Sequence, residues 1–254
     1  MLLTVDIGNT LIDFGLWKGE ELTLVYQAAT KPIRSEDEYR SVVELFLQSK
    51  RIDPHEVEDA ILSSVVPPLA TIFRKIISDV FGIRPKVVGP RLKTGIAIRT
   101  DNPAEVGADL VADAVGGVTL YGTNLFLADL GTANKFIYVD GHGAFAGCAI
   151  APGLAQGAAS LSRDTAALPL ASLLRPRNVI GTNTNDSMNA GILYTNVYAV
   201  EGFLKEFEKE AGAALKPILT GGNAVYVKDL LPSFTYDPNL LLYGLKEIAR
   251  RNRK

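Results

Sequence analysis

Residues 2–8, LLTVDIG, align without a gap on residues 125–131, LFLADLG: an apolar strand, an aspartate, an apolar residue, a glycine, then a small polar residue. A repeat at this separation marks an internal duplication, which commits the chain to building one unit twice. After the first copy come two more strand-like runs, DFGLW and LTLVYQAA, with turn signals at Gly8-Asn9 and Lys18-Gly19-Glu20. Ser35 and Glu38 form a capping box ahead of Tyr39, Val42, Val43, Phe46 and Leu47 at helical spacing. A strand at 60–66, a helix opened by Pro67-Pro68 and a strand at 85–90 complete the order βββαβαβ. The second half repeats it through FIYVDG, AFAGCAIAPG, helical material to about residue 212, PILTGG, a helix through Leu231, SFTY and a closing helix at 239–252, with an insertion between its third and fourth strands.

The expected fold is therefore α/β, with a mixed sheet in each of two duplicated halves, 1–116 and 117–254, and a nucleotide cleft between them near strand ends and helix N-termini. A chain of 254 residues with 47% hydrophobic positions can bury a core for such halves. The net charge of −2 provides no basic excess for a phosphate backbone, so nucleic acid is not expected as a partner. The basic run Arg250-Arg251-Asn252-Arg253-Lys254 reads as a solvated helix end. Cys148 is the single cysteine, and His55 and His142 have no metal-ligand spacing, which excludes a zinc site. With neither a signal-like N-terminus nor an apolar run of about 18 residues, no membrane is expected and a cytoplasmic location is.

In DIGNT, the glycine permits a tight turn whose amides can face an anion, while Asp6 can hold a cation directly or through water. DLGTA repeats this with Asp129, Gly131 and Thr132. Two such turns suit nucleotide phosphates with magnesium, whereas one alone would read as a plain hairpin. Between the halves, Asn102-Pro103 is expected to start a helix with Glu105 in its first turn and Asp109 and Asp113 four apart on one face. Such a carboxylate can take a proton from a hydroxyl attacking a terminal phosphate, and a solvated helix face is the alternative. Further on, Asn183 or Asn185 is placed to cap a long helix beside Thr184, and LTGGNA suits the approach of an adenine or ribose as well as an ordinary strand-to-helix turn.

DIGNT (6–10), SSVVPP (63–68), VVGP (87–90), KTG (93–95), DNPAEVGAD (101–109), DLGTA (129–133), AIAPGL (149–154), TAALP (165–169), GTNT (181–184), GILY (191–194) and TGG (220–222) together resemble type III pantothenate kinase over essentially the whole chain. The resemblance implies the acetate and sugar kinase, heat-shock ATPase and actin superfamily, with two ribonuclease-H-like halves. It implies ATP-dependent phosphorylation of pantothenate, the first step of coenzyme A synthesis, by a homodimer using magnesium and a monovalent cation, potassium or ammonium. Carried over by motif, Asp6, Ile7, Gly8, Asn9, Thr10, Leu11, Ile12 and Asp13 lie at ATP phosphate, with Asp6 at magnesium. Thr132 contacts ATP and Asp129 holds the monovalent cation. Asp109 is the general base, and Gly107, Ala108, Asp109, Leu110 and Thr184 contact pantothenate.

Several motif positions depart from the family: Leu110 where it has an arginine that would pair with the pantothenate carboxylate, Thr100 for an aromatic, Asn134-Lys135 for two threonines, Thr195-Asn196 in the GILY segment, and Asn223 for leucine. Three placements are open for Lys135: in the monovalent cation's place beside Asp129, paired with phosphate, or solvated after a turn. Two alternatives stand beside the family reaction: a catalytically weak or silent relative acting as partner or regulator, for instance in a heterodimer with an intact paralogue, and a kinase for a different hydroxyl compound.

Overall fold

Strand β1 (Leu2–Ile7) is buried along its whole length, so both of its faces need cover. The computed structural model describes residues 1–163, 168–169 and 171–253. After β1 follow β2 (Leu11–Lys18), β3 (Glu21–Ala29), α1 (Glu36–Lys50), β4 (Asp59–Ser64), α2 (Pro67–Phe81), β5 (Lys86–Val87) and α3 (Ala108–Tyr121). Then come β6 (Leu125–Leu130), β7 (Ala133–Val139), β8 (Phe145–Pro152), α4 (Leu154–Arg163), α5 (Thr184–Ala211), β9 (Lys216–Thr220), β10 (Thr235–Tyr236) and α6 (Leu240–Arg251).

The sheets have orders β3-β2-β1-β4-β5 and β10-β9-β6-β7-β8. In each, the first three strands pair antiparallel and the last two join in parallel. The duplication is therefore real at the level of topology, and the fold is the two-sheet α/β arrangement expected. One compact unit comprises Met1–Ile96, Asp101–Thr119 and Leu240–Lys254, the other Ala97–Thr100 and Leu120–Asn239.

In the first unit, Leu3, Val5 and Ile7 of β1 face α1 and α2, packing with Tyr39, Val43, Phe46, Phe73 and Ile76. Each fully buried Phe or Ile here contributes about 1.5–3 kcal/mol relative to exposure. The local signals are satisfied as read: Ser35 and Glu38 close the capping box of α1, and α2 begins with proline and ends at Gly82 with φ 69°. The alternate residues Leu2, Thr4 and Asp6 lie on the opposite face, which α6 covers by packing on β1 and β4. Trp17 Nε1 donates to Thr4 Oγ1 at 3.0 Å, and its ring meets Tyr243 edge-on. Helices α3 and α6 cross at Gly116 and Gly244, where a Cβ on either glycine would run into the other helix's backbone.

In the second unit, Phe126, Ala128, Leu130 and Phe136 pack against Leu154 of α4 and Leu193, Val197 and Val200 of α5. Asn183 caps α5, its side chain accepting from Asp186 N. Two sequence expectations shift. The segment at Pro103–Glu105 is only a 3₁₀ turn and α3 begins at Ala108; Asn102 makes no side-chain cap, and its amide donates to Glu105 Oε1 at 2.6 Å. The helix expected through Leu231 is two 3₁₀ turns, Ala224–Tyr226 and Lys228–Leu230. Asn223, just ahead of the first of these turns, donates its amide to Gly131 O at 2.7 Å.

Candidate active site

The turn after β1 is built from within. Gly8 N donates to Leu11 O at 2.9 Å, and a Cβ at Gly8 would stand 3.1 Å from that same oxygen. Thr30, itself buried, donates its hydroxyl to Gly8 O at 2.8 Å and its amide to Thr10 O at 2.9 Å, while Tyr39 OH donates to Thr30 O. These bonds tie the turn to α1 and leave Asn9 and Thr10 at the exposed tip. Register then decides what surrounds Asp6. Asp6, 8% exposed, faces Asp13 across β2 and Ser63 across β4, so three oxygen-bearing side chains line up on the face away from α1 and α2. Gln27 Nε2 donates to Asp13 Oδ1 at 2.6 Å. Ser63 Oγ is fully buried, with no hydrogen-bond partner among the described residues.

In the same unit, Asp109 occupies the first turn of α3, where the helix dipole favours a carboxylate. Its Oδ1 accepts from Leu110 N at 2.9 Å, and any Cβ at Gly107 would crowd that oxygen. Asp109 and Asp113 are both buried, which rules out a solvated helix face. Leu110, 7% exposed, presents hydrocarbon and no charge.

The second unit repeats the frame with different chemistry. Asp129, 7% exposed, lies opposite Lys135 on β7 and beside Thr220 on β9. Lys135 Nζ donates to Asp129 Oδ2 at 2.5 Å, with the lysine side chain only 20% exposed. Lys135 is thus not solvated after a turn; it is mid-sheet, paired to β6 on one side and to Ile150 of β8 on the other. Gly221, at φ 90°, packs so closely that a Cβ there would collide with Asp129 Oδ1 and Leu130 N. The turn's carbonyls are taken as well: Gly131 O accepts from the Asn223 amide and Leu130 O from Asn223 N at 2.8 Å. On the other face of β7, Asn134 is buried and donates to Asn196 Oδ1 and, at 3.3 Å, to Pro152 O. Asn134, Lys135, Asn196 and Asn223 had been noted in the sequence as separate departures. The structure shows each joined to the second turn or to its partner; along the sequence only Asn134 and Lys135 adjoin that turn, and the fold brings Asn196 and Asn223 to it.

Thr184 is the first residue of α5 and contributes, with Gly181, Asn183, Ser187, Met188 and Leu161, to an open pocket of about 620 Å³ in the second unit. Of the TAALP segment, residues 165–167 lie outside the described residues. The first unit therefore carries Asp6 to Asp13 and Gly107 to Leu110, and the second carries Asp129, Thr132 and Thr184.

A family model described as type III pantothenate kinase matches residues 2–206. The chain belongs to the type III pantothenate kinase family. A family member from Bifidobacterium longum is 40% identical over 256 residues, covering 100% of both chains, and one from Geobacillus kaustophilus is 37% identical, covering 99% of this chain and 98% of that one. Among solved structures, the activator of 2-hydroxyisocaproyl-CoA dehydratase from Clostridium difficile, with bound ADPNP, matches with a TM-score of 0.56 at 12% identity, covering 98% of this chain and 92% of that one. A ROK hexokinase from Thermus thermophilus matches at 0.50 and 14% identity, covering 98% and 97%. These structural likenesses bear on the fold alone.

Family membership brings two cations to test against the residues present. Magnesium takes oxygen ligands and is usually held by one or two carboxylates together with phosphate oxygens and water. Asp6 and Asp13, in direct register with the buried Ser63 hydroxyl beside them, fit that demand. No cluster of three or more His, Cys, Asp or Glu side chains that could hold a metal occurs among the described residues. A monovalent cation at Asp129 does not fit. An ammonium already occupies the carboxylate, and a second positive charge about 4 Å from it would meet a repulsion on the order of 4 kcal/mol.

Proposed function

We propose that this chain transfers the γ-phosphoryl group of ATP to the primary hydroxyl of pantothenate, giving 4'-phosphopantothenate at the entry to coenzyme A synthesis. The observation that carries the reading is the buried carboxylate of Asp109, held at the start of α3 by Gly107 in a chain matched to the family over residues 2–206. Asp109 removes the hydroxyl proton, the oxygen attacks the γ-phosphorus, and the bond to the bridging oxygen breaks to release ADP. Residues 6–13 receive the nucleotide phosphates, with the Gly8 turn held rigid by Thr30 so that little ordering is needed on binding. Asp6, supported by Asp13, holds magnesium, which when bound neutralises charge on the phosphates. Thr132 contacts ATP, and Gly107, Ala108, Leu110 and Thr184 contact pantothenate.

Leu110 supplies an apolar contact in place of a charge-assisted one, so pantothenate binding is expected to be weaker by the ~1.5–3 kcal/mol such a bond contributes. No helix among the described residues is long and apolar enough to cross a membrane. A cytoplasmic homodimer is the working form we propose. The test is ADP release by the purified chain with ATP and magnesium, with and without pantothenate. Turnover that rises with pantothenate supports the reading. Nucleotide binding without any pantothenate-stimulated turnover would overturn it and leave a silent partner protein.

A further inference from the structure

We propose that Lys135 is a resident cation: its ammonium permanently fills the place beside Asp129 that other members of the family would give to an exchangeable ion, so this kinase works without potassium or ammonium. The inference rests on the kinase reading above but concerns the second unit alone.

Three features of the donor set carry it. Asp129 is a buried carboxylate at the end of a central strand, a group that requires a positive partner, and Lys135 Nζ lies 2.5 Å from Oδ2. The lysine is fixed in β7 with ladder partners on both sides, so its ammonium cannot leave with a moving loop. Carbonyl oxygens of the turn that follows Asp129 also accept from N–H donors: Gly131 O from the Asn223 side chain and Leu130 O from Asn223 N. A hard cation is held by just such carbonyl and carboxylate oxygens. Here they are satisfied from within, and the ammonium supplies the charge. Asn223 and Lys135 thus act as one substitution, the first closing a carbonyl and the second closing the carboxylate.

The experiment compares the wild type with Lys135→Thr, which restores a hydroxyl, in potassium chloride, ammonium chloride and tetramethylammonium chloride at equal ionic strength. Two readouts are taken: melting temperature, and ADP release with pantothenate. The wild type should melt at the same temperature in all three salts and turn over within about twofold. The variant should lose about 10- to 100-fold in turnover in tetramethylammonium, recover in potassium or ammonium, and be stabilised against heat by those ions. Lys135→Gln, close in size, carries the same expectation should the threonine variant fail to fold. Potassium activation of the wild type by more than about fivefold, or a melting temperature that rises with potassium, would overturn the proposal. So would a variant that responds to no cation. Absence of turnover in every salt would overturn the kinase reading, and the melting data would still decide the role of Lys135.

Discussion

The hairpins β1–β2 and β6–β7 have the same frame and opposite electrostatics. Each begins with a fully buried strand, places an aspartate two residues before a glycine, and turns back antiparallel. In the first, the residue in register with the aspartate is another carboxylate, Asp13; in the second it is Lys135. Directly opposed like charges destabilise a sheet, and an opposite pair contributes roughly 0.2–1 kcal/mol. The first hairpin therefore brings two carboxylates together, the pair on which the proposed magnesium site rests. The second pairs its carboxylate with an ammonium from its own sheet. After duplication, the two copies kept one backbone and divided the charge between them.

The sharpest way to break this contrast is to ask where the chemistry lives. If the first unit carries it, Asp109→Asn should lower kcat by about 10²- to 10⁴-fold with little change in melting temperature, as general-base loss does. A variant keeping more than about a tenth of wild-type kcat would move the base elsewhere. A second contrast separates the two aspartates. Asp6→Asn should raise the magnesium concentration for half-activity by about 10- to 100-fold. Asp129→Asn should leave the magnesium response in place and instead cost about 3 kcal/mol or more of stability, because it strands a half-buried ammonium. Equal magnesium shifts in the two variants would erase the division of labour.

The glycines offer a smaller test. Gly221→Ala imposes a Cβ on a residue at φ 90° and against Asp129 Oδ1, so about 1–3 kcal/mol should be lost. Gly8→Ala meets only Leu11 O, at 3.1 Å, and should cost less. Urea unfolding of both variants checks the order. The smallest effect belongs to Asp140, in the turn after β7. Burial acts to raise its pKa, but the amides of Ala144 and His142 and the Arg99 guanidinium outweigh it and hold the carboxyl below its usual value. A depressed native pKa means stabilisation that is fully present above the unfolded-state value of about 4 and is lost as pH falls through the native one. Asp140→Asn should therefore melt slightly lower than wild type at pH 7, with the gap closing in acid. A gap that persists at low pH would mean the charge is not what matters.

Much of this was legible in the residues because strong local chemistry wrote it. The capping box at Ser35, the prolines at 67 and 68, and the repeated aspartate turn all depend on neighbours in sequence, and each is where it was expected. The buried state of Asp109 and Asp113 was not legible, since burial is set by tertiary packing that spacing along one helix does not report. Nor was the pairing of Asp6 with Asp13 or of Asn134 with Asn196, which arises from strand register and from α5 lying over β7. Lys135 had three open readings, and its place opposite Asp129 removes the solvated one. At 103 and 224 the chain makes 3₁₀ turns where helix starts were expected, and neither Asn102 nor Asn223 accepts a capping hydrogen bond with its side chain.

The crossing of α3 and α6 at Gly116 and Gly244 also sets an order of assembly during synthesis. The second unit is drawn from residues 97–100 and 120–239, all of which leave the ribosome before α6 does. The first unit, though begun earlier, must wait with the Leu2, Thr4 and Trp17 face of its sheet uncovered until Leu240 to Arg251 emerge. The half that is translated first is thus the half that finishes last.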